Sequence, residues 1–84
     1  MMAYVKEYLD GKKDRWEFDL DFNHELMKRW SKMRREDSEY ADVFYEWISE
    51  DGVDAGANLS DSEYKKLIRL QYKEVKSIAA SGFF

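Results

Sequence analysis

His24 is the single histidine of this 84-residue chain, and Asp21, Asn23 and Glu25 stand beside it with Glu17 and Asp19 just upstream. An imidazole among carboxylates is raw material for a metal site or for acid–base catalysis. On a helix, Asp21 and His24 are three residues apart and Asp21 and Glu25 four, so at most three weak ligands converge where a closed zinc site takes four. The same residues have a simpler use. Carboxylates opening a helix that ends in Lys28, Arg29, Lys32, Arg34 and Arg35 complement the helix dipole at both ends. Capping, not metal binding, is the expectation for Asp21, His24 and Glu25.

The remaining catalytic chemistries lack their parts. There is no cysteine, and no serine sits in a nucleophile elbow. No glycine pattern forms a phosphate-binding loop. The stretch Asp51 to Glu63 superficially suggests a calcium loop, but setting Glu63 as its last ligand puts Gly52 first and Ala57 where a glycine is required. No enzymatic activity, catalytic residue, metal or cofactor is expected.

Charge is the more specific signal. The net charge of −4 hides a segregation: residues 25–36 carry five basic and two acidic groups, residues 37–63 nine acidic and no basic ones, and residues 64–84 five basic and one acidic. Within the acidic block, Asp37, Glu39, Asp61 and Glu63 fall at helix starts, where the dipole favours them. Asp42, Glu46 and Glu50 do not. They recur every four residues, a spacing at which like charges on a helix repel by about 0.2–0.5 kcal/mol per pair, so a compensating partner is expected.

Two basic stripes could supply it from within the chain: Lys28, Lys32 and Arg35 on one helix, and Lys65, Arg69, Lys73 and Lys76 on another. Exposed ion pairs between them and the acids are the conservative expectation. The functional one is that Asp42, Glu46 and Glu50 meet a basic surface on a protein partner. The alternative is nucleic acid on the face of Lys65, Arg69, Lys73 and Lys76. It ranks second, because nine carboxylates oppose a phosphate backbone. Trp16 is the candidate aromatic anchor, since Trp30 and Trp47 fall on apolar stripes and are expected in or against the core.

Four helical segments must position these residues. Tyr4, Val5, Tyr8 and Leu9 make a short stripe that Gly11 ends. Residues 16–22 alternate apolar and polar, which suits a half-buried strand pairing with its copy in a dimer. A lone strand leaves its ladder unpaired, however, and Asp14 with Glu17 forms a capping pair, so a helix bent near Asp21 and continuing through Leu26, Met27, Trp30 and Met33 is expected. A third helix starts at Asp37 or Ser38 and carries Tyr40, Val43, Phe44, Trp47 and Ile48 inward. Gly52 should end it in the left-handed conformation with Val53 over Ile48. The fourth opens on the capping box Ser60 to Glu63, with Leu59 stapled to Tyr64. It buries Tyr64, Leu67, Ile68, Gln71, Tyr72, Val75, Ile78 and Ala79, and should close through Gly82 and Phe83.

The expected architecture is a single all-α domain, residues 1–84, built as a small bundle of about four helices. The 14 aromatic residues carry much of its stability, because a chain this short has no disulfide or thiolate zinc to staple it. A homodimer would add buried surface. No segment approaches the roughly 18 apolar residues of a membrane span, and no signal peptide is seen. A cytoplasmic protein is expected.

Overall fold

A computed structural model describes residues 1–81. The cap expected from Gly82 and Phe83 lies outside them. Four α-helices and a π-helical segment follow one another: α1 (Met2–Leu9), α2 (Arg15–Glu36), α3 (Ser38–Phe44), the π-helix Tyr45–Asp54 and α4 (Asp61–Ala80). No strand occurs among the described residues.

Helix α1 buries Tyr4, Val5 and Tyr8 and ends at Asp10. The chain then reverses through Gly11 at φ +83°, a conformation that costs a side-chain-bearing residue about 1–2 kcal/mol. Asp14 opens α2 by accepting from the Glu17 N–H at 2.8 Å, leaving one fewer orphan donor in the first turn.

From there α2 runs 22 residues without interruption, so the strand alternative at residues 16–22 is not found and the helix does not break near Asp21. The alternating pattern has a different origin: Phe18 and Phe22 are buried while Trp16 and Leu20 are exposed. Two apolar pairs four residues apart, on opposite faces of one helix, read as period two in the sequence.

Asp37 alone separates α2 from α3, and its carboxylate caps α3 through the Tyr40 N–H at 3.0 Å. The expected stop at Gly52 is not there. Gly52 is buried inside the π-helix, which continues to Asp54, and Gly11 is the one glycine with positive φ among the described residues. Bonds of the i→i+5 type, such as Ala55 N–H to Glu50 C=O at 3.1 Å, widen the turn beyond the α-helix's about 3.6 residues. Phe44, Ile48, Gly52 and Gly56 are all buried. The small residues admit α4: a Cβ on Gly52 would sit 3.1 Å from Ile68 Cδ1, and one on Gly56 3.0 Å from Leu67 Cδ2 and Tyr64 Cδ2.

Helix α4 begins as expected, with Ser60 Oγ accepting from the Glu63 N–H at 3.3 Å, and buries Tyr64, Ile68, Gln71 and Val75. The core is built around rings. Tyr8 stacks on Phe18 at 4.5 Å, Phe18 tilts against Phe22 at 5.4 Å, and Phe22 stacks on Phe44 at 6.3 Å. Burying each such side chain contributes about 1.5–3 kcal/mol. The phenols keep partners: Tyr4 donates to the Phe18 carbonyl at 3.1 Å and Tyr64 to Asp19 Oδ1 at 2.8 Å. No helix among the described residues is long and apolar enough to cross a membrane.

Candidate functional site

Asp42, Glu46 and Glu50, with Asp54 after them, are all exposed at four-residue intervals. Among the described residues only Asp42 of these four has an ion partner: Arg34 of α2 reaches it at 2.5 Å, and the same guanidinium lies 5.7 Å from the centre of the Trp30 ring. Glu46 and Glu50 form no ion pair within 4.0 Å among the described residues. They line an open groove of about 540 Å³ with Trp30, Asp42 and Tyr45. Trp30 and Tyr45 are ring neighbours at 5.6 Å. They also border a second, apolar depression of about 260 Å³ with Leu26, Met27 and Ser31.

Among the described residues no member of the two basic stripes pairs with an acid of residues 37–63; Arg34 reaches Asp42 instead, and Arg15 reaches Asp61 at 3.0 Å. The basic stripe of α4 turns elsewhere. Lys65 lies over the Tyr8 ring at 5.5 Å, Arg69 donates to the Leu9 carbonyl at 3.3 Å, and Lys76 lies over Tyr72 at 5.7 Å. Lys73 joins Arg69, Lys76 and Lys6 of α1 around Tyr72 in a groove of about 320 Å³. On α2, Lys32 pairs with Glu36 at 3.8 Å, within its own helix, and Lys28 and Arg35 are exposed.

Asp21 and His24 are exposed, while Glu25 pairs with Arg29 at 3.3 Å. Among the described residues no three His, Asp or Glu side chains come together as a metal site. Trp16 is exposed beside Leu20, whereas Trp30 and Trp47 are half-buried.

Three contributors escape a reading of the sequence. Tyr45 and Met27 extend the acidic stripe into an aromatic and apolar surface, and Asp54 prolongs it. The signal for the stripe was the interleaved period of four, with carboxylates at 42, 46, 50 and 54 and buried residues at 44, 48, 52 and 56. Comparison with protein-family models, with curated proteins and with solved structures gives no significant match.

Proposed function

We propose that this chain is a non-enzymatic, cytoplasmic protein-interaction module that takes a basic amphipathic segment of a protein partner into the groove of Trp30, Asp42, Tyr45, Glu46 and Glu50. The observation that carries the reading is the pairing of two exposed carboxylates, Glu46 and Glu50, which form no ion pair among the described residues, with an aromatic floor. Aromatic side chains supply affinity in such surfaces, and the carboxylates supply register and encounter rate. A synthetic lysine–leucine amphipathic peptide tests it by calorimetric titration. Binding is expected at low salt, weakening as salt rises, with about a tenfold loss in the Glu46→Gln/Glu50→Gln variant. Equal binding by wild type and variant, or no binding at low salt, would reject the proposal.

A second reading, nucleic acid on Lys65, Arg69, Lys73 and Lys76, draws support from one observation, the approach of Lys6 to the same groove around Tyr72. The engagement of Lys65 with Tyr8 and of Arg69 with Leu9 weighs against it. A mobility shift in about 50 mM salt that steepens with added basic residues and collapses with salt supports this reading. No shift at micromolar protein removes it.

A further inference from the structure

We propose that the basic segment taken by the acidic groove is α4 of a second copy of this chain, docked with Leu70 as the knob. The inference rests on the groove reading and names its occupant. Leu70 is 54% exposed in the middle of α4. It stands about 100–160° around the helix from Ile68, Gln71 and Val75, which face the chain's own core. The charges beside it are ordered. At 3.6 residues per turn, Lys66 and Lys73 lie about 40–60° to one side of Leu70, and Glu63 and Glu74 about 20–40° to the other. All four are exposed, and none forms an ion pair within 4.0 Å among the described residues.

The groove presents the opposite order. Glu46 and Glu50 border Trp30 and Tyr45, and the same two rings wall the apolar depression beside them, with Met27. Trp30 lies about 60° to one side of Met27 around α2, and Lys28 and Arg35 about 80–100° to the other. Both of those cations are exposed and form no ion pair among the described residues. Acid, apolar, base therefore meets base, apolar, acid. With Leu70 seated in the depression of about 260 Å³, the direction of α4 that sets Lys66 and Lys73 on Glu46 and Glu50 also turns Glu74 toward Lys28 and Arg35. The reversed direction sets like charges together. Knob and groove are different patches of one surface, so the contact is heterologous and each copy offers one of each.

The test is sedimentation velocity at low salt, with circular dichroism to verify the helices. Wild type should show an average mass that rises with protein concentration and falls as salt is added. Leu70→Glu, which spoils the knob, and Glu46→Gln/Glu50→Gln, which spoils the groove, should each raise the dissociation constant about tenfold. Mixed in equal amounts, the two should form a complex that stops at two chains, because one intact knob meets one intact groove. Lys66→Gln/Lys73→Gln, confined to exposed side chains, should repeat the loss without altering Leu70. A wild type that stays monomeric up to millimolar protein, knob variants that associate like wild type, or a mixture that forms no two-chain complex would each overturn the proposal. The lysine–leucine peptide separates it from the groove reading: Leu70→Glu keeps the groove and should bind the peptide at least as tightly as wild type. Peptide binding without self-association overturns this proposal alone, whereas loss of both removes both.

Discussion

Replacing Arg15 with alanine removes a clamp that ties the start of α2 to the loop leading into α4. Its Nη1 donates to the Leu59 carbonyl at 2.6 Å and to Asp61 Oδ1 at 3.0 Å. Its Nη2 donates to the carbonyls of Ala57 at 3.1 Å and Gly56 at 3.3 Å. The guanidinium also lies 4.3 Å from the centre of the Tyr64 ring. At the exposed Leu59 and Ala57 carbonyls water replaces a lost donor, so those bonds contribute about 0.5 kcal/mol each and the part-buried Gly56 bond about 1 kcal/mol. The ring contact adds about 0.5–1 kcal/mol. Asp61, with a side chain 88% exposed against 19% for Arg15, adds nothing measurable. The total is about 2–3 kcal/mol. For a domain of about 60–100 residues that corresponds to a fall in melting temperature of about 8–24 °C. Urea unfolding of Arg15→Ala and Asp61→Ala, with an unchanged m-value, separates the terms. A loss below about 1 kcal/mol for Arg15→Ala, or an equal loss for Asp61→Ala, would refute the clamp.

Gly56→Ala should cost about 1–3 kcal/mol by chemical denaturation, because its Cβ would stand 2.9 Å from the backbone oxygen of Gly52 with Tyr64 and Leu67 closing the other sides. Gln71→Met should stabilise the fold by about 1 kcal/mol, since no donor among the described residues reaches the buried Gln71 Oε1 and an apolar side chain removes that desolvation cost. Stability should fall as pH rises above 10. Burial, reinforced by Asp21 and other carboxylates, pushes Tyr4 up to about 12 from an ordinary 10.0. Burial, with Tyr72 nearby, also takes Tyr40 to about 12, and burial raises Tyr8 and, with its hydrogen bond to Asp19, Tyr64. The neutral phenols favour the folded state fully below the unfolded value, and that advantage is lost between about pH 10 and 12 at up to ~1.4 kcal/mol per pH unit for each group. Tyrosinate absorbance tracked alongside helix content checks this. Phenols that ionise near pH 10 with the helices intact would contradict it.

Capping chemistry made the helix starts legible: Asp14 with Glu17, Asp37 with Tyr40 and Ser60 with Glu63 act over three residues, and a short side chain with one N–H leaves little else to decide. The turn at Gly11 is equally local. Gly52 was misleading because its role is set by packing at a distance, by Ile68 and Gln71 of α4, which no neighbour in sequence reveals. The same long-range packing concealed the π-helix. Arg15 was unreadable for the opposite reason, since it bonds carbonyls more than 40 residues away that carry no side-chain signal. Of the candidate site, the acidic stripe was legible as a period of four. The Trp30 and Tyr45 floor was not, because it needs α2 and the π-helix to be brought together.

The most direct measurement of the interaction reading is an amide chemical-shift titration of isotope-labelled protein with the lysine–leucine peptide at low salt. The account predicts saturable shifts concentrated at Glu46, Glu50, Tyr45 and the Trp30 indole, lost in the Glu46→Gln/Glu50→Gln variant. Shifts centred instead on Lys6, Arg69, Lys73 and Lys76, or spread evenly over all the acids, would contradict it.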